Sequence, residues 1–383
     1  MKVLLICGGD HKYGSPRSAI SFIRSITTLD PTVEYVVLTQ NYGKINEFCN
    51  ERGIENYITG HSYAVYKAEH GIIDFVKHHI RRYQVQKKCK HALKYIEKKI
   101  DMSSIDLIHT NINRDILGQL IAMKYKVPHI MHLREFSKRH FDLDFIFKDQ
   151  IELMNQYTDR FIAISDAVKE DWIQTGLNEK KVTRVYNGVE PRSQVRSETR
   201  QGIVKIVMVG GLYPEKGQMQ LVKAIGLLDE TKREMIHVDF YGDGKPWYER
   251  ELKDYVSAHN LEKHITFKGY DACISEKLAD YDIGLLCSKA EGFGLTTVEY
   301  MISSLCPIVS DTGANSELVI DGECGLLYKY DDTKDLAAKI LTCINNPSLR
   351  REYGIKARKR AENMFTIDKC ANNILKIYRE VSN

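Results

Sequence analysis

Residues 291–301, EGFGLTTVEYM, set two carboxylates, Glu291 and Glu299, eight residues apart around a glycine-bearing turn. The run before them, DIGLLCS, is continuously apolar, as strands buried on both faces of a parallel sheet are. The run after them, TTVEYMISS, reads as a helix that opens near Leu295. Gly292, Phe293 and Gly294 therefore form a turn from the C-terminal end of a strand to the N-terminus of a helix, where open α/β sheets bind ligands. Free backbone amides there combine with a helix dipole of roughly half a positive charge to favour phosphate. Carboxylates only accept hydrogen bonds and hold hydroxyl pairs well. A ligand anionic in its middle and hydroxylated at both ends meets all of these groups, and a nucleotide sugar is such a ligand. Glu291 would hold the sugar and Glu299 the ribose. Taken alone, the spacing fits a solvated loop acid and a surface helix residue equally well.

A second segment adds to it. GGLYPEKGQ, residues 210–218, follows the apolar run KIVMV and carries Lys216 just before the next helical pattern. An ammonium there is a point charge placed to meet a diphosphate. KVLLICGG near the N-terminus resembles KIVMVGG at 205–211, and each is followed within about ten residues by a helix pattern, SAISFIRSI and QLVKAIGLL. The strand–glycine–helix order founds a doubly wound unit. It occurs twice, so two Rossmann-like domains are expected. Further apolar runs continue the alternation: EYVVLTQ, IDLIHT, PHIMHL and RFIAIS, then HVDFYG, ITFKG, DIGLLCS and CPIVSD. A polar stretch opening on an Asn-Gly turn signal, residues 187–202, marks the boundary. We therefore read 1–190 as the first domain and 191–367 as the second, with an amphipathic helix over 368–383 packing back on the first. Ser165 is expected to cap a helix in AISDAVKED.

The 383 residues suffice for about two domains with full cores. A net charge of +4 gives no general case for nucleic-acid binding. The nine cysteines are scattered and form no CxxC pair, which points to reduced core thiols and a cytoplasmic setting. No apolar run of about 18 residues signals a transmembrane helix. The charge is uneven, however: residues 77–99 hold nine Lys and Arg against one acid. That segment fits a solvated helix face and a peripheral contact with anionic lipid equally.

Taken in order, VGGLYPEKGQ, FYGDG, TFKGY, SKAEGFGLTTVEYM and SDTGANSELVIDGECGLLY resemble the family 4 retaining glycosyltransferases of the GT-B fold. VYNGVE resembles that family's entry to its interdomain linker, and the likeness covers nearly the whole chain. The resemblance implies two Rossmann-like domains facing a central cleft, a UDP- or GDP-linked sugar as substrate, no other cofactor and no metal. It implies a glycan or lipid-linked acceptor, as in surface polysaccharide or lipopolysaccharide synthesis. Lys216 would bind the donor diphosphate, Glu291 the sugar and Glu299 the ribose, and Phe293, Gly294, Leu295 and Thr296 would offer backbone amides. Tyr241, Gly242, Phe267 and Lys268 would line the base pocket. His132, in PHIMHLREF, would stand near the transferred sugar, and Gly14 and Arg17 on the first glycine loop would face donor or acceptor. In one respect the chain departs from the pattern: it has Gly211 where members commonly carry arginine. Either Arg134 or Arg17 replaces that cation, or phosphate binding rests on Lys216 and the helix amides.

Three rival signals are weaker. DLD, Asp142–Asp144, resembles a metal-binding Asp-x-Asp but lies in a loop-like or helix-like segment rather than after a donor-domain strand. His129 and His132 on one strand would point to opposite faces and share no zinc. An NAD-dependent dehydrogenase is disfavoured because GGDHKYG lacks GxGxxG spacing and EYVVLTQ ends in Gln40, not an acid. A nucleotide-sugar epimerase of the same architecture and a non-catalytic sugar-nucleotide sensor stay open.

Overall fold

The computed structural model describes residues 1–8, 14–67, 72–137, 143–191 and 202–382. Contacts divide the chain into two units, Met1–Gly188 joined by the C-terminal helix from Ile367, and Val189–Thr366.

The first unit runs β1 (Lys2–Cys7), α1 (Gly14–Leu29), β2 (Glu34–Thr39), α2 (Lys44–Glu51), β3 (Glu55–Ile58), β4 (Val65–Lys67), α3 (Ile72–Lys99), β5 (Leu107–Thr110), α4 (Leu117–Tyr125), β6 (His129–Leu133), β7 (Leu143–Phe145), α5 (Gln150–Tyr157), β8 (Arg160–Ala163), α6 (Asp166–Gln174) and β9 (Val182–Arg184). Seven strands form one parallel sheet in the order β3-β2-β1-β5-β6-β8-β9. Its central strands β1, β5 and β6 are buried at every position past Lys2, and they carry His109, Thr110, His129 and His132 among otherwise apolar residues. Ser165 caps α6 as expected, its hydroxyl accepting from the Val168 amide.

The second unit runs β10 (Val204–Val209), α7 (Gln218–Gly226), α8 (Glu230–Arg233), β11 (Ile236–Tyr241), α9 (Pro246–Ala258), β12 (Ile265–Gly269), α10 (Ile274–Lys277), β13 (Ile283–Leu286), α11 (Leu295–Ile302), β14 (Cys306–Ser310), α12 (Asn315–Leu318), β15 (Leu326–Tyr328), α13 (Thr333–Asn345) and α14 (Pro347–Met364). Its six strands are parallel, in the order β12-β11-β10-β13-β14-β15. The last helix, α15 (Ile367–Ser382), returns to the first unit. There it buries Ile367, Cys370, Ala371, Ile374, Leu375, Ile377 and Tyr378, while Ser25 donates to Asp368 and Arg379 pairs with Asp30.

The Asp-x-Asp signal is corrected here. Asp142 lies outside the described residues, and Asp144 stands on β7, a three-residue strand antiparallel to β4, not in a helix or loop.

One contact fixes how α11 lies on its sheet. Tyr300 is fully buried, and its hydroxyl accepts from the Val209 amide at 2.8 Å, pinning α11 to the end of β10. Its ring fits because residue 284 has no side chain; a Cβ there would stand 2.2 Å from the ring. Gly284→Ala should therefore destabilise the protein by about 1–3 kcal/mol through overpacking. A lower urea midpoint for the second unit checks this, and an unchanged midpoint would show that Tyr300 is not held.

Candidate active site

A doubly wound sheet opens a crevice where its strand order reverses. In the second unit that point lies between β10 and β13, because the chain builds β11 and β12 on one side of β10 and then returns to the other. The loops leaving β10 and β13 must therefore run side by side. Lys216 from the first meets Glu291 from the second, Nζ donating to Oε2 over 3.1 Å. The Lys289 amide donates to the Glu215 carbonyl and ties the same loops through backbone.

Glycine makes this approach possible at two places. Gly217 has φ +76°, and a Cβ on it would stand 2.1 Å from the Cys287 carbonyl oxygen. Gly313, at φ +58°, lies against the Glu291 backbone, where a Cβ would come within 2.3 Å of the carbonyl oxygen. The Ala314 amide donates to that carbonyl, and Ser310 and Thr312 both donate to the Ser288 carbonyl. The Glu291 loop is thus held from both sides.

Gly294 caps α11 with φ +91°. The first intrahelical bond runs from the Val298 amide to the Gly294 carbonyl, so the amides of Leu295, Thr296 and Thr297 precede it and form the positive end of the helix. Four buried side-chain atoms on the converging segments have no hydrogen-bond partner among the described residues: Gln218 Oε1, Ser288 Oγ, Thr297 Oγ1 and Asn315 Oδ1. Buried polar atoms are nearly always satisfied, so this concentration makes the crevice the candidate site for a polar ligand. Glu299 sits one turn into α11 and is mostly buried. Phe293 is buried edge-on against Phe365, which leaves its backbone, with that of Gly292, as its part in the turn.

On the other side of β10 three loops are stitched together by backbone. Gly210 donates to the Tyr241 carbonyl, Leu212 to Asp243, Lys245 to Leu212 and Gly242 to Gly269. Gly242 presses on Gly210, where a Cβ would meet the carbonyl oxygen at 2.1 Å. Tyr281 Oη bridges Asp239 Oδ2 and Tyr241 Oη. Lys268 Nζ lies 3.6 Å from Asp239 Oδ1. The ring of Phe267 is half-buried and stacks on Phe240 at 5.3 Å, against the apolar layer beneath α9. At Gly211 the space a Cβ would enter is filled by the Tyr213 ring, 2.5 Å away. The position that carries arginine in the resembled family is occupied here by an aromatic neighbour.

The structure thus brings Lys216, Glu291, Gly292, Phe293, Gly294, Leu295 and Thr296 together, with Gly211, Tyr241, Gly242 and Lys268 on the adjoining loops. Gly14, Arg17 and His132 belong to the other unit. Gly14 opens α1, and Arg17 is exposed in its first turn. His132 is fully buried in β6, stacked with His109 and Phe22.

Arg134 requires a correction. It does not stand free as a phosphate cation. It is buried, with Nε donating to the Asn111 carbonyl and side chain, Nη1 to Ser18 and Asn187, and Nη2 to Asn111 Oδ1 at 2.6 Å. Burial lowers its pKa to about 10. It joins α1, the ends of β5 and β6, and the Asn-Gly turn where the first unit ends.

Two family models match the chain: glycosyltransferase family 4 over residues 47–193 and glycosyl transferases group 1 over 191–360. The fold is that of the GT-B glycosyltransferases, and the two matches, which together span residues 47–360, place the chain in glycosyltransferase family 4. An uncharacterized glycosyltransferase of Methanocaldococcus jannaschii is 28% identical over 316 residues, covering 79% of this chain and 84% of that protein. Among solved structures, HepE of Anabaena in complex with UDP and glucose superposes with a TM-score of 0.79 at 20% identity, covering 99% of this chain and all of that one. The lipopolysaccharide outer core galactosyltransferase WaaB superposes with a TM-score of 0.70 at 18% identity over 99% of this chain and all of that one.

If Arg134 is a strut, Arg134→Met should cost about 3 kcal/mol or more by leaving several buried acceptors unpaired. Nucleotide affinity of the folded fraction should stay unchanged. Loss of UDP affinity at full stability, by calorimetry alongside denaturant melts, would return Arg134 to the phosphate site.

Proposed function

We propose that this glycosyltransferase moves a hexose from a nucleotide-diphosphate sugar, UDP-linked in the first instance, to a hydroxyl of a glycan or lipid-linked acceptor, with retention of configuration and without a metal. The observation that carries the reading is the Lys216–Glu291 pair beside the open start of α11. It brings a cation, a row of amides and a hydroxyl acceptor from two loops to one crevice. The UDP and glucose bound by HepE support the donor class, and the lipopolysaccharide role of WaaB supports the acceptor class.

In this reading the bond from the sugar C1 to the diphosphate oxygen breaks and a bond from C1 to the acceptor oxygen forms. Negative charge grows on the leaving diphosphate, where Lys216 and the amides of Gly294, Leu295 and Thr296 stabilise it. The acceptor proton passes to the departing phosphate oxygen. Glu291 turns from Lys216 to the sugar hydroxyls, Glu299 takes the ribose, and His132 donates to the sugar. Gly14 and Arg17 face the donor or the acceptor, and Tyr241, Gly242, Phe267 and Lys268 line the base. One preorganised donor of this kind is worth about 3 kcal/mol. Lys216→Ala and Glu291→Ala should each lower turnover roughly 10²–10³-fold, read as acceptor-dependent release of UDP. Full turnover in both variants would remove the site from this crevice. An altered sugar formed without acceptor would make the protein an epimerase.

The helix α3 supports a second contact of the same enzyme. Val76, Ile80 and Tyr83 are exposed at helical spacing, and Lys87, Lys90 and Lys94 continue the same stripe, while Val85, Cys89, Ala92 and Ile96 on the opposite face are buried. Apolar side chains in line with lysines suit a surface of anionic lipid, where lipid-linked acceptors reside. Each lysine near such a surface contributes about 1 kcal/mol. Changing Lys87, Lys90 and Lys94 together to Gln should weaken binding to phosphatidylglycerol vesicles roughly a hundredfold in co-sedimentation. Native protein that ignores these vesicles would dismiss the contact.

A further inference from the structure

α15 carries Tyr378 into the interior of the first unit, with its hydroxyl 2.6 Å from His109 Nδ1. His109 Nε2 lies 3.1 Å from His132 Nδ1, and Arg134 Nη2 reaches that same Nδ1 at 3.4 Å. All three rings of the chain, Tyr378, His109 and His132, are fully buried. Burial, with the charge of Arg134, holds both imidazoles well below the usual histidine range, so each is neutral with a single N–H.

The direction of the bonds then follows from one fact. A guanidinium has no acceptor, so Arg134 can only donate. His132 Nδ1 must accept, and the His132 proton sits on Nε2. His109 Nε2 must donate into that same Nδ1. His109 Nδ1 must then accept, and the Tyr378 hydroxyl donates to it. Phe22 stacks on both imidazoles at 5.6 and 6.4 Å, and they stack on each other at 5.3 Å within 20° of parallel, which keeps the rings from exchanging their nitrogens. At the end of this ordered chain His132 Nε2 is buried with no partner among the described residues. A buried donor left unmade costs about 1–3 kcal/mol. The fold sustains that cost beside a network whose other members are paired.

We propose that Tyr378 and His109 are positioning residues that lock His132 in the Nε2–H form, so that the spare atom is a donor reserved for an oxygen of the transferred sugar. In the other tautomer Nε2 would offer a lone pair, and a sugar oxygen carrying no hydrogen could not bind it. Since His132 is covered in this structure, the sugar must reach Nε2 as its surroundings open. The proposal rests on the reading above that His132 meets the donor sugar.

The test uses the full chain labelled with ¹⁵N-histidine. Long-range ¹H–¹⁵N spectra should show His132 and His109 each protonated at Nε2 alone. Tyr378→Phe removes one hydroxyl from the far end of the chain; His132 should then show a mixture of tautomers. kcat should fall about tenfold, less than the 10²–10³-fold that loss of a whole donor costs, with the donor KM little changed. In a His132→Ala background the same change should cost nothing further. A His132 protonated at Nδ1 in the native protein, or spectra and kcat unmoved by Tyr378→Phe, would overturn the proposal. An equal loss in the His132→Ala background would also overturn it, by showing mere structural damage. Full turnover in His132→Ala alone would refute the sugar contact; the nitrogen spectra report separately on whether Tyr378 sets the tautomer.

Discussion

The second unit depends on a reversal of strand order. Because β13 returns beside β10, two loops far apart in sequence are pressed together at the sheet's carboxyl edge, and a helix starts there with its amides unspent. Positive potential from the α11 dipole and from Lys216 then adds in one small volume. Without a ligand that potential is answered by Glu291, 3.1 Å from the ammonium. The carboxylate thus keeps the lysine extended toward the crevice. In the proposed reading an entering diphosphate would find the cation already oriented, with less rotamer entropy to lose on binding.

Much of this was legible because buried parallel strands and helix starts leave local traces. DIGLLCS could be read as a strand and Gly294 as the turn into a helix from neighbouring residues alone. Lys216 could be placed because it follows the second founding strand. At Arg134 the misreading comes from partners distant in the chain. Arg134 looks like a free cation in PHIMHLREF, yet it bonds Asn111, Ser18 and Asn187, residues 23, 116 and 53 positions away. Gly217 and Gly313 gave no signal because their need for glycine arises from the backbone of another loop. Three-residue strands such as β7 show no period long enough to read.

In the first unit the polar interior is ordered around the same arginine. Its donors fix the Asn111 and Asn187 side chains, one at the end of a central strand and one in the turn that leaves the unit. A buried guanidinium is costly unless every N–H is used, and here all three nitrogens have acceptors. Such a centre tolerates little rearrangement, which suits a frame that must hold histidines in register.

The route of the backbone has its own bearing on synthesis. Residues 189–366 form a contiguous unit, whereas the first unit is finished only when α15 arrives. The later-made half can thus mature before the earlier one. Until then the nascent amino-terminal half exposes the apolar flank of α1 that α15 will cover, with Phe22 and Ile26 among its residues. An emerging chain in this condition is a natural client for chaperones, and a premature stop before Ile367 would leave it one permanently.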